Sequence, residues 1–134
     1  MKRVFVCLSL AIGLFSGAAN AQVAGERVVA LWAEDGFWYP ARIQSVDRQV
    51  HVIFDDRSVA AVRKNEVRSL DWRAGTQLEC NWQNKGQFFA GTITTIRGES
   101  IFLTYNDGDT ERLTVRHCRA RYRAAVDQGR TNRR

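Results

Sequence analysis

The sequence predicts an all-β fold built from two consecutive copies of one small five-stranded unit. Three observations carry this. β-branched and aromatic residues come in short runs separated by Gly, Asp and Asn turns roughly every six to ten residues, the spacing of strands rather than helices. The stretch GERVVALWAEDGFWYPAR from Gly25 returns from Gly75 as GTQLECNWQNKGQFFAGT, so that an offset of fifty sets Trp32 on Trp82, Gly36 on Gly86 and Ile43 on Ile93. Proline occurs once, at Pro40; such a residue cannot donate to a ladder, which places it at the edge or a bulge of its strand.

The chain opens with Lys2 and Arg3, an apolar run over Val4–Phe15, and Ala19-Asn20-Ala21. A charged start, an apolar run too short to span a bilayer and a small-x-small ending describe an export signal over residues 1–21, with a mature start at Gln22. Cys7 sits within this run without a lipidation pattern. Without Lys2 and Arg3 the formal net charge falls from +6 to +4. This mild balance is not that of a dedicated nucleic-acid binder. Part of it is local, because Arg119, Arg121, Arg123, Arg130, Arg133 and Arg134 crowd the end, and residues 121–134 read as a basic tail.

In the first unit, residues 25–70, strands are expected at Arg27–Ala33, Phe37–Val46, Gln49–Phe54, Ser58–Val62 and Val67–Leu70. Glu34-Asp35-Gly36, Asp47-Arg48 and Asp55-Asp56-Arg57 are the turns, and a helical turn over Arg63–Glu66 precedes the last strand. Alternation sends Val28, Ala30, Trp32, Ala41, Ile43, Val50, Val52 and Phe54 inward and His51 outward. Phe37 and Trp38 are adjacent and point oppositely, so one of them must lie outside or in an interface.

The second unit, residues 74–120, follows with an offset of fifty-one after its second strand. Val50, Val52 and Phe54 then meet Ile101, Leu103 and Tyr105, and Asn106-Asp107-Gly108-Asp109 forms the tight turn. The short join between the units leaves Trp72 wedged between them. Alignment places Cys80 in a first strand and Cys118 in a closing strand, which a small barrel brings together. In an oxidising compartment they are expected to pair; the alternative is two buried thiols acting as small hydrophobes. With His51 and His117 far apart in sequence, a metal site lacks ligands and no cofactor is implied.

Taken together, Val28-x-Ala30-x-Trp32-x-x-Asp35-Gly36-x-x-Tyr39-x-Ala41-x-Ile43 and Val50-x-Val52-x-Phe54-x-Asp56 resemble the Tudor domain family, including its tandem members. The second repeat keeps Trp82, Gly86, Phe89, Ile93, Tyr105 and Asp107. The resemblance implies two tandem SH3-like five-stranded barrels, each with an aromatic mouth formed by the first-second and third-fourth strand connections. It puts Trp32, Tyr39 and Phe54 in one mouth and Trp82, Phe89 and Tyr105 in the other, with Asn106 and Asp107 on the second rim. In many members such a cage holds methylated lysine or arginine by cation–π attraction. The family's fourth aromatic position falls here on Arg57 and Gly108. The same rings could instead plug the barrels or pack one against the other.

No nucleophile-base pairing and no phosphate-cradling loop is present in the pattern. No catalytic residue is therefore assigned, and the reading is non-enzymatic. The leading expectation is an exported, periplasmic or secreted module whose mouths bind a peptide or cationic group on a protein partner. A second is binding of nucleic acid or an acidic polymer through Arg42, Arg57, Arg63, Lys64, Arg68 and the Arg-rich end. A third is a ligand-free scaffold.

Overall fold

The computed structural model describes residues 22–122. The expected signal segment, Cys7, and Arg123, Arg130, Arg133 and Arg134 lie outside the described residues. The chain folds into two five-stranded antiparallel sheets of matching order. The first holds β1 (Arg27–Trp32), β2 (Phe37–Val46), β3 (Val50–Phe54), β4 (Val59–Val62) and β5 (Val67–Ser69), in the order β4-β3-β2-β1-β5. The second holds β6 (Gln77–Asn81), β7 (Phe88–Arg97), β8 (Ser100–Tyr105), β9 (Thr110–Thr114) and β10 (Cys118–Arg119), in the order β10-β6-β7-β8-β9. Each sheet bends on its ten-residue second strand, one end of which pairs with the strand before it and the other with the strand after it. The registers shift between Ile43 and Ser45 and between Ile93 and Thr95, and a bulge of this kind adds bend and twist.

The repeat extends to individual hydrogen bonds. Gly25 N–H donates to Ile43 O as Gly75 N–H does to Ile93 O, and Phe54 N–H donates to Ser58 O as Tyr105 N–H does to Asp109 O. The one-residue difference after the second strand falls in a hairpin. Val46 faces Val50 across the three residues Asp47-Arg48-Gln49, whereas the equivalent Ile96 faces Ile101 across the four residues Arg97-Gly98-Glu99-Ser100.

Alternation fills the interiors as expected. Val28, Ala30, Ala41, Ile43, Val50, Val52 and Phe54 form the first core. Leu78, Cys80, Ile93, Ile101, Leu103 and Tyr105 belong to the second, which continues into Val29, Trp38, Trp72 and Ala120 at the junction of the units. Both faces of β1 are thus covered. The same burial takes in the Phe37-Trp38 pair, of which neither ring is on the outside. Trp72 is buried as a wedge, its indole N–H donating to the Tyr122 hydroxyl at 3.0 Å.

Pro40 departs from expectation. It lies in β2, which pairs on both sides, and away from that strand's bulge. Trp38 N–H and C=O both face Ala120, and Pro40 O accepts from Asp55 N–H. Two residues along a strand, Pro40 turns its nitrogen to the same edge. Pairing with β3 begins only at Ala41, so the missing N–H falls in the gap between β3 and the Trp38–Ala120 bridge.

Closure of the second unit is covalent. Cys118 stands directly across from Cys80 in the β10–β6 ladder, and the two form a disulfide.

Candidate functional site

At one end of the first unit, the interior faces of three strands run out in aromatic rings. Trp32 ends β1, Tyr39 lies near the start of β2, and Phe54 ends β3. Phe54 is 5% exposed and forms the floor; Trp32 and Tyr39, half-buried, form the walls. The Trp32 and Phe54 centroids are 5.5 Å apart at 84°, and those of Tyr39 and Phe54 6.5 Å apart at 86°. Edge-to-face packing of this kind holds the rings rigidly. They border a depression of about 390 Å³.

Acidic turn residues surround it. Asp35 accepts from Phe37 N–H at 2.8 Å and from the Tyr39 hydroxyl at 2.6 Å. Burial, and next the donation to Asp35, push the Tyr39 phenol above its ordinary range. Asp55 is held by both terminal nitrogens of Arg27, which also bridges to Glu99 of the second unit. Asp56 caps its own turn through Ser58 N–H.

The second mouth is built from Trp82, Phe89 and Tyr105, with Asn106, Asp107 and Asp109 around a depression of about 290 Å³. Trp82 and Phe89 meet edge to face at 6.4 Å. Phe89 is 46% exposed, a large apolar surface for a ring. The Tyr105 hydroxyl donates to Glu111 at 2.8 Å, and burial, then that bond, drive its phenol far upward. Gln83 and Asn84 take left-handed backbone in the preceding turn, and Lys85 places its ammonium 4.9 Å from the Trp82 ring centre. At the matching position the first unit has Asp35. One mouth therefore carries an acid where the other carries its own cation.

All six rings expected from the sequence gather into two mouths, and Asn106 and Asp107 stand on the second rim. Arg57, which takes φ +73° in its turn, is not part of the first lining. Missing from the sequence reading are Phe88 and Arg116, which reach the first mouth from the second unit. Phe88 corresponds to Trp38 by the fifty-residue offset, and both turn away from their own cores. That shared outward position was the available signal.

Arg119 was the larger omission. Grouped by composition with the basic end, it is instead clamped in the junction with its side chain 19% exposed. Its guanidinium lies 3.8 Å from the Phe37 ring centre and 4.0 Å from that of Phe88. It donates to the Tyr39 hydroxyl at 3.0 Å and to Glu79 at 2.9 Å. Arg68, its counterpart in the first repeat, stacks 4.4 Å from the Tyr122 ring centre, and Arg121 lies 4.3 Å from that of Phe37. Among the described residues no cluster of three or more His, Cys, Asp or Glu is placed to hold a metal ion, and no helix is long and apolar enough to cross a membrane.

These features define a tandem of Tudor-like units. Residues 24–70 match the family model described as the Tudor domain of the DNA repair protein Crb2. Among solved structures, the chain is similar to the crystal structure of ADCP1 tandem Agenet domain 3-4. That likeness has a TM-score of 0.36 at 12% identity and covers 73% of this chain and 79% of that one. No curated protein matches the sequence.

Proposed function

We propose that this protein is an exported, non-enzymatic binding module that takes a cationic, methylated side chain of a peptide or protein partner into its first aromatic mouth. The observation that carries the reading is that Trp32 and Tyr39 each pack edge to face on Phe54 around an open depression with acids at its rim. A methylated ammonium is poorly hydrated and gains from ring faces, about 0.5–2 kcal/mol per ring depending on desolvation. Carboxylates at the rim favour the same charge.

Two features favour the first mouth over the second. Asp35 stands where the second mouth has Lys85, and Trp82 already has that lysine over its ring. The disulfide and the signal-like start together support an exported setting.

Polyanion binding draws less support. Arg68, Arg119 and Arg121 stack on rings of the chain itself, and Arg63 is paired with Glu66. Tryptophan fluorescence during titration with trimethyllysine peptides, unmodified peptides and single-stranded DNA separates the readings. Binding of the methylated peptide that survives 0.5 M salt and drops about tenfold or more in Trp32→Ala is expected. Binding of DNA alone, steeply lost with salt, would sink the proposal.

A further inference from the structure

The first mouth is not made by one unit alone. Phe88 of β7 and Arg116, from the short 3-10 turn before β10, line the same depression as Trp32, Tyr39 and Phe54. At about 390 Å³ it has the space of roughly a dozen waters, more than one alkylated ammonium head fills.

Its charges are unequally compensated. Asp55 is neutralised by Arg27, and Asp35 lies 3.8 Å from Arg119. Asp56 faces only its own turn. Arg116 is exposed, and among the described residues no carboxylate lies within ion-pair distance of it. One depression thus presents a free carboxylate from the first unit and a free guanidinium from the second. A ligand carrying only a cation satisfies half of it.

We infer that the junction mouth reads a two-part signal: a methylated lysine flanked in the same extended peptide by an acidic residue. The alkylated ammonium enters among Trp32, Tyr39 and Phe54 towards Asp56, and the acid pairs with Arg116 across the junction. Phe88 supplies apolar contact between them. This rests on the binding reading above and adds sequence selectivity to it. Arginine suits that role, because its planar fork can hold a carboxylate through two parallel bonds.

The test uses the oxidised protein obtained by expressing the full chain, and isothermal titration with three trimethyllysine peptides. The lysine is flanked by glutamates, glutamines or lysines. The acidic peptide is expected to bind at least tenfold tighter than the neutral one, and the basic peptide weakest. Arg116→Gln should bring the acidic peptide down to the neutral one, and Arg116→Glu should reverse the order. Being exposed, Arg116 can be changed without loss of the melting temperature, which is measured alongside.

If the three peptides bind equally through Trp32, the two-part signal is wrong while the aromatic mouth stands. If none binds, or binding survives Trp32→Ala, the mouth itself is wrong. Glycine betaine is the control for a free small zwitterion. Tight binding of it, displacing the acidic peptide at equal concentration, overturns the peptide assignment.

Discussion

Breaking the Cys80–Cys118 disulfide should damage the first mouth, although neither sulfur lies in it. The bond fixes β10, a strand of only two residues. Beyond Cys118 the same segment supplies Arg119, clamped between Phe37 and Phe88, and Ala120, which exchanges hydrogen bonds with Trp38. The cross-link closes a sequence separation of 38 residues. In the chain-entropy model that constraint is worth about 4 kcal/mol, a large share of the 5–15 kcal/mol typical of a whole domain. At ~4–8 °C per kcal/mol for a chain of this size, the melting temperature should fall by roughly 15–30 °C. Cys80→Ser/Cys118→Ser, and the native protein with dithiothreitol, are compared by circular dichroism and by titration with the trimethyllysine peptide. Loss of peptide affinity at a temperature where the sheet signal persists is expected, because Arg119 also holds the Tyr39 hydroxyl. Arg119→Lys in the oxidised protein should reproduce part of that loss, since an ammonium cannot stack flat between two rings. A reduced protein that melts within a few degrees of the oxidised one, with unchanged affinity, would refute the coupling.

Two further predictions follow from packing and from protonation. Gly91→Ala would place a methyl 2.9 Å from Thr104 O and about 3 Å from Leu103, so urea unfolding should show a loss of ~1–3 kcal/mol; an unchanged midpoint would contradict this strand contact. The chain's three tyrosines, Tyr39, Tyr105 and Tyr122, are all pushed upward, mainly by burial. Absorbance at 295 nm should therefore show no phenolate forming near the ordinary value of about 10 until the protein unfolds. The fold favours the neutral phenol, so this stability is complete below that value and is lost as pH climbs through the raised ones. A tyrosine ionising near pH 10 with the fold intact would count against it.

What could be read from the sequence divides along a physical line. Strands, turns and interiors are legible because alternation is a local property, and the expected second strand, Phe37–Val46, is β2 as found. The disulfide was legible because two copies in register assign Cys80 and Cys118 to strands that one barrel must bring together. The rings came by another route, from the resemblance to the Tudor family, whose mouth positions fall here on Trp32, Tyr39, Phe54, Trp82, Phe89 and Tyr105. Contacts between the units were not legible in this way. Nothing local says which outward face of one sheet meets which face of the other, so Phe88, Arg116 and Arg119 were hidden until the units were docked. Arg116 carries no local mark in the sequence, and composition groups Arg119 with the basic end.

The repeat nonetheless shows why the two units cannot be interchanged. Arg68 and Arg119 occupy the same place on the closing strands and both stack on aromatic rings. Trp38 and Phe88 share the outward position on the second strands. Trp38 is buried in the junction, whereas Phe88 stays half-exposed at the first mouth. One docking thus uses two equivalent positions for different ends, one as cement and one as lining. The turns differ in the same sense, with Asp35 leaving its mouth acidic and Lys85 laying a cation on Trp82. Exchanging these two residues, Asp35→Lys with Lys85→Asp, is therefore the change that should move cation binding from the first mouth towards the second. Affinity should come to depend on Trp82 rather than Trp32, and a preference that stays with Trp32 would show that the junction, not the turn charge, selects the mouth.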